Sequence, residues 1–225
     1  MVWDREKVKL MFEILSKSYD IIPEEYVSLW AYLTYKDPFK VLVATILSQS
    51  STDKAALKSF RKLDESLGIE PSKLSKAKLE DIIKAIEESG LQNQKARAIK
   101  KLAEIAKEID LEKILKEGID SARKKLIELP KVGYKTADVL LATFGMPVIP
   151  IDTHVERVVK RLGIVRSEAK YEEIRMKLEE IIPDQYRHKI HLLLIAHGRA
   201  ICKAKTPLCS KCALYDLCEY PKKLK

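Results

Sequence analysis

Apolar residues recur along this chain at intervals of three and four, the spacing of an amphipathic helix, and no stretch alternates as a half-buried strand would. Val8, Met11, Phe12 and Leu15 share one face of a helix expected over residues 5 to 18. A second helix spans Glu24 to Tyr35 and stops at Asp37-Pro38, because the residue before a proline is pushed out of helical geometry. Phe39 to Ser48 is apolar almost without a break and reads as a buried helix. Thr52 to Leu67 follows, with Gly68 as its C-cap. Further helices are expected over 78–89, 93–109, 111–116, 121–129, 153–162, 168–182 and 183–201. The fold class is all-α, about ten helices, with no internal repeat and no low-complexity linker.

The pattern breaks at Leu129-Pro-Lys-Val-Gly-Tyr-Lys-Thr-Ala-Asp-Val-Leu-Leu141, which reads as a tight hairpin opening a helix. Pro130 extends the preceding helix poorly, and Gly133 can take positive φ where the chain turns. Ala137, Leu140, Leu141 and Phe144 then recur at helical spacing, so a helix starts at Tyr134 with Lys135 in its first turn, opposite the apolar stripe. Backbone N–H groups at such a turn and helix N-terminus can hold an anion such as a DNA phosphate. The positive helix end and partial burial both disfavour a protonated amine there, and an unprotonated lysine is a nucleophile able to form Schiff bases. Past an apolar link, Asp152 can supply a carboxylate for that chemistry or simply cap the helix from Thr153. Thr153-x-x-Glu156 is itself a capping box.

Composition narrows the class. At 225 residues the chain can form one large domain or two small ones with a real core. Of its net charge of +9, +7 falls in residues 187 to 225, which fits either a polyanion contact or a solvated tail. No apolar run of about 18 residues is present. The charged start, Met-Val-Trp-Asp-Arg-Glu-Lys, leads into no apolar signal segment, so a soluble intracellular protein without a membrane span is expected. High charge with one Asn (Asn93) and four Gln is the balance that proteins from hot environments tend to show.

Cys202, Cys209, Cys212 and Cys218 are spaced x6, x2, x5 near the end of the chain, unlike the cysteines of a disulfide-stapled secreted domain. Four thiolates so close together can wrap one S₄ site, which zinc and an iron–sulfur cluster both accept. Structural zinc is more often held by two separated knuckles. His197 shares a stripe with Ile190, Leu193, Leu194 and Ile201 and reads as a core histidine; His154 either orients Asp152 or packs.

Leu-Pro-x-Val-Gly-x-Lys-Thr-Ala, followed by the aspartate in Ile151-Asp-Thr-His154, resembles the helix–hairpin–helix glycosylase superfamily and, within it, the endonuclease III branch. The cysteine spacing, with His191-Leu-Leu-Leu-Ile-Ala-His-Gly-Arg199 and Asp216-Leu-Cys-Glu-Tyr220 around it, is similar to that family's C-terminal [4Fe–4S] loop. The resemblance runs from about Phe39 to Tyr220. It implies two helical domains with the active cleft between them. One is a central domain, 30–146, with the helix–hairpin–helix motif over 121–145. The other is 1–29 plus 147–225, carrying the cluster loop 202–218.

By the same resemblance Lys135 and Asp152 are the catalytic pair, and the four cysteines hold a [4Fe–4S] cluster that shapes its loop and fixes Lys203 and Lys205 against phosphates. Lys131, Val132 and Gly133 would contact DNA from the hairpin, although the family usually has glycine where Lys131 stands. Leu47-Ser-Gln-Ser-Ser-Thr-Asp53 resembles the segment that fills the gap left by an extruded base, through Gln49 or Ser50. Gly90-Leu-Gln-Asn-Gln-Lys-Ala96 resembles a second family loop in which Leu91 would wedge into the stack, though it lacks the usual aromatic residue. The implied activity is that of a bifunctional DNA glycosylase and AP lyase of base excision repair. It would remove oxidised or ring-saturated pyrimidines and cut 3′ to abasic sites by β-elimination through a lysine Schiff base. Its partner would be double-stranded DNA with damaged bases or abasic sites, and it would act as a monomer in a prokaryotic cytoplasm, at the nucleoid. A monofunctional mismatch glycosylase is a rival that Lys135 argues against. A non-catalytic DNA-binding module is a rival of another class.

Overall fold

The computed structural model describes residues 3–220, so Lys222, Lys223 and Lys225 of the basic tail lie outside the described residues. From the N-terminus the helices are α1 (Arg5–Ser18), α2 (Val27–Tyr35), α3 (Pro38–Ser48), α4 (Asp53–Leu67), α5 (Pro71–Leu74), α6 (Leu79–Ala85) and α7 (Gln92–Ala106). Then come α8 (Leu111–Leu115), α9 (Ile119–Leu126), α10 (Tyr134–Thr143), α11 (Thr153–Leu162), α12 (Tyr171–Ile181) and α13 (Arg187–Ala200). No strand is present among the described residues. The expectation of an all-α chain holds, but three expected helices are interrupted. Single 3-10 turns at Pro23–Glu25, Glu87–Ser89 and Asp184–Tyr186 stand apart from α2, α6 and α13, and the one-turn α5, begun by Pro71, was not anticipated. None of these helices is long and apolar enough to cross a membrane.

The chain divides into two compact units, Ile22–Met146 and Met1–Ile21 with Pro147–Lys225. The first boundary therefore lies at residue 22, not near 30. Asp53, at the start of α4, accepts from the Val27 backbone N–H at 3.0 Å and ties the first residue of α2 to α4.

The Ile22–Met146 unit is built around α3, whose Pro38, Phe39 and Val41–Leu47 are all buried. Asp37 starts this helix by accepting from the Lys40 N–H, and Pro38 sits at the first helical position, where a missing N–H costs nothing. Helices α2, α4, α7 and α10 pack against it.

In the other unit α11 and α1 pack on α13. Its core joins Val8, Met11 and Leu15 to Val155, Val158, Val159, Ile190, Leu193 and Leu194. Gly198 allows the close approach of α11, since a Cβ there would stand 2.9 Å from the His154 Cβ.

Candidate functional site

The hairpin joins α9 to α10. After Leu129 the chain turns through Lys131, which takes the left-handed conformation at φ 61°. Gly133, expected to supply the positive φ, is instead extended at φ −96°, ψ −178° and caps α10 from the outside. A lysine in this conformation costs about 1–2 kcal/mol relative to an ordinary turn residue, and its surroundings hold it there. Gln49 Nε2 donates to the Lys131 carbonyl at 3.0 Å and to Thr136 Oγ1 at 3.3 Å. Lys131 Nζ donates to Gln94 Oε1 at 3.2 Å. Lys131 and Gly133 are exposed, but Val132 is buried and its N–H is spent on the Leu129 carbonyl. Val132 is therefore an anchor of the turn, with neither its side chain nor its N–H turned outward. Beneath the turn, Arg123 of α9 and Asp138 of α10 form a buried ion pair at 2.7 Å that locks the two helices together.

Lys135 lies in the first turn of α10 and is exposed, as its place opposite the apolar stripe dictates. The partial burial expected for it is not found. Its neighbour Tyr134 also turns its ring outward.

Two more loops of this unit carry expected DNA contacts. Gln49, at the C-cap of α3, is committed to the hairpin, while Ser50 is exposed at φ 50°. Leu91, just before α7, is also at φ 50° and 49% exposed. Lys95, one turn into α7, is buried and was not singled out from the sequence. Its Nζ donates to the carbonyls of Leu47 at 2.8 Å and Ser89 at 2.7 Å. The signal was there to read, since Lys95 falls on the same stripe as Ile99, Leu102 and Ala103.

In the other unit Asp152 is buried and is the N-cap of α11, accepting from the Val155 N–H at 2.7 Å. Of the two capping schemes open in the sequence, the Asp152 cap forms, and Thr153 is the first helical residue. His154 Nδ1 faces Arg157 at 3.0 Å, and burial lowers the histidine's pKa.

The four cysteines of this unit line one cavity, together with Val158, Arg161, His197 and Tyr220. They are free thiols in the sense that no disulfide joins them. Among the described residues no three His, Cys, Asp or Glu side chains gather closely enough to hold a single metal ion. Two arginines of α11 secure the loop. Arg157 Nε donates to the Cys202 carbonyl at 2.9 Å, and Arg161 donates to the carbonyls of Lys203 and Ala204 at 2.7 and 2.8 Å. Lys203 and Lys205 remain exposed on the outside of the loop. His197 is buried, as its stripe predicted, but it also reaches the loop: Tyr19 Oη lies 2.9 Å from its Nδ1, and its Nε2 lies 3.6 Å from Cys212 Sγ. Burial pushes its pKa down to about 4. A neutral ring that accepts from Tyr19 carries its proton on Nε2, facing the thiol.

Residues 43–184 match the model of the HhH-GPD superfamily base excision DNA repair protein. Over 208 residues the chain is 40% identical to Endonuclease III of Sulfolobus acidocaldarius, covering 92% of each. The chain belongs to the endonuclease III family. Its relatives in this family include Endonuclease III of Escherichia coli, 35% identical over 193 residues, 85% of this chain and 88% of that one. Among solved structures it is similar to a trapped endonuclease III–DNA covalent intermediate, with a TM-score of 0.83, 32% identity and 99% of each chain covered. A thermostable thymine-DNA glycosylase, TM-score 0.78 at 22% identity, shares the fold. The exposed hairpin, Lys135 and the loop tips Ser50 and Leu91 thus sit in a chain that matches a DNA-bound family member over nearly its whole length.

Proposed function

We propose that this member of the endonuclease III family is a bifunctional DNA glycosylase and AP lyase of base excision repair, with Lys135 as its nucleophile. The observation that carries the reading is an exposed lysine in the first turn of the hairpin's second helix, in a chain similar to an endonuclease III trapped covalently on DNA. The substrate is a duplex with an oxidised or ring-saturated pyrimidine, or an abasic site, whose nucleotide must leave the stack before its sugar carbon can be reached. Exposed N–H groups at the hairpin and the start of α10 grip the backbone phosphate, with the charge of Lys131 beside them.

The Lys135 amine attacks C1′, the glycosidic C–N bond breaks, and the base leaves taking up a proton. Loss of the amine proton and opening of the sugar give a Schiff base. Removal of a C2′ proton then expels the 3′ phosphate by β-elimination. Asp152 supplies the carboxylate that stabilises positive charge on the sugar and carries protons, besides capping α11. Ser50 is the tip that fills the vacated space, because the Gln49 amide is already spent on the hairpin.

That all four cysteines line one cavity supports a [4Fe–4S] cluster as the cofactor of this reading. Cys202, Cys209, Cys212 and Cys218 would hold it, and a cluster spreads four thiolates over several irons where zinc draws them onto one ion. When bound it supplies a cross-link for a loop that has little core of its own. Lys203 and Lys205, with the backbone around them held by Arg161, then meet phosphates as fixed charges.

Reaction with a duplex bearing one abasic site in the presence of borohydride tests the reading. The parent chain forms a covalent adduct and Lys135→Ala forms none while still binding the duplex. Strand cleavage retained by Lys135→Ala would remove the lysine from the mechanism. Binding with a steep salt dependence and no scission by the parent would leave only a DNA-binding module.

A further inference from the structure

Helix α7 carries two lysines that each hold a pair of backbone carbonyls. Lys100 Nζ donates to Ser75 at 2.7 Å and Ala77 at 2.6 Å, closing the turn after α5. Lys95 Nζ donates to Leu47 and Ser89. These two carbonyls belong to different loops. Leu47 lies in the last turn of α3, three residues before Ser50, and Ser89 ends the 3-10 turn two residues before Leu91.

Both loop tips are in the left-handed conformation without being glycine. Such residues persist only where the surroundings dictate them. The tips also lie side by side, since a Cβ on Gly90 would stand 4.0 Å from the Ser50 carbonyl. Carbonyls in a helix's last turn have no partner within the helix and carry its negative end. A buried ammonium with its three donors satisfies two of them at once, from opposite loops.

We infer that Lys95 is a positioning residue that joins the Ser50 and Leu91 tips into one rigid wedge, so that they enter a duplex together and hold a nucleotide out of the stack. This rests on the proposed glycosylase reading and deepens it. Lys95 touches no DNA; it acts through the backbone of the two residues that do. A loop displaced by about 1 Å can cost up to 100-fold in such a step.

The test compares the parent, Lys95→Met and Lys100→Met in the full chain. Lys100→Met removes the same kind of clamp from the same helix, remote from the tips. Extrusion is read by the fluorescence of 2-aminopurine placed opposite an abasic site in a duplex. Lysine chemistry is read separately, by borohydride trapping on a single-stranded abasic oligonucleotide. Lys95→Met is expected to slow the duplex fluorescence change by about tenfold or more while single-strand trapping stays within about twofold of the parent. Lys100→Met keeps both. Where Lys95→Met is not recovered folded, Lys95→Leu, which likewise carries no donor, is read the same way. Equal duplex fluorescence in all three proteins, or a parallel fall in both readouts, overturns the wedge and leaves Lys95 a packing residue. A parent that neither extrudes nor traps overturns the glycosylase reading itself, and the wedge with it.

Discussion

The Gln49 side-chain amide donates to the Lys131 carbonyl at 3.0 Å, so the loop after α3 and the hairpin are one hydrogen-bonded piece. Because that carbonyl belongs to a residue at φ 61°, the bond also helps to keep Lys131 in a conformation it would otherwise leave. Gln49→Met removes the donor and keeps the length. It is expected to cost about 1 kcal/mol of stability in a urea titration, the size of one hydrogen bond, and to weaken duplex binding through a looser hairpin. No change in either quantity would mean that the turn is fixed by its other contacts.

Asp152 caps α11 and, in the proposed mechanism, also supplies a carboxylate to the sugar; the two roles separate on substitution. Asparagine caps helices as well as aspartate does, so Asp152→Asn should melt within about 0.5 kcal/mol of the parent. Without the carboxylate its turnover should fall by about 100-fold or more. Asp152→Ala loses the cap as well and should be less stable by about 1 kcal/mol. An asparagine variant with normal turnover would reduce Asp152 to a cap.

Lys131 occupies a glycine-like backbone position with a charged side chain. Lys131→Gly relieves the positive φ and should raise stability by up to about 1 kcal/mol, less what the chain gains in unfolded freedom. If its charge meets a phosphate, the slope of log binding constant against log salt should become shallower by about 1. Filter binding at several salt concentrations checks the slope and calorimetry the stability. An unchanged slope would place the lysine's charge away from the duplex.

The cysteine loop makes a prediction that needs no substitution. Protein purified without air should be brown, with broad visible absorbance and about four irons and four sulfides per chain. Losing that metal should loosen Lys203 and Lys205 and weaken DNA binding before it unfolds α11 and α13, whose packing does not involve the loop alone. Colourless protein with stoichiometric zinc would replace the cluster by a single-ion site.

Much of the framework was legible because helical periodicity and caps are local. Asp37-Pro38 before α3 and Gly68 after α4 stand where the expected helices begin and end. The hairpin was legible as a break, but its internal geometry was not. A sequence offers Gly133 as the natural owner of positive φ, yet Lys131 takes it, because Gln49 and Gln94 from distant segments supply what the backbone lacks. The same limit hid Arg161 with the cysteine loop, a pairing of residues far apart along the chain, and Arg123 with Asp138, which meet only once the hairpin folds α9 onto α10. Lys95 was hidden differently. Its place on an apolar stripe was visible, but a lysine there is ordinarily assigned to the rim of a core, and only the two carbonyls show why it is inside.

Burial, and after it the positive charge of Lys131, lowers the Lys95 pKa from its ordinary value to about 8. Below that pH the folded and unfolded chains both carry the proton. Between about 8 and the ordinary lysine value the unfolded chain binds a proton that the folded one has released, so this group makes stability rise with pH across that window and fall as pH drops back through it. The slope from one such group is at most about 1.4 kcal/mol per pH unit. Other lysines titrate at the upper end, so the quantity to measure is the difference between the parent and Lys95→Met in urea unfolding at about pH 7 and about pH 10. The parent should gain on the variant as pH rises; parallel behaviour would mean that Lys95 keeps its proton when folded. The clamp itself should survive this titration. A neutral amine still has two N–H groups, one for the Leu47 carbonyl and one for the Ser89 carbonyl, so duplex extrusion should not lose its rate at the pH where the charge is lost.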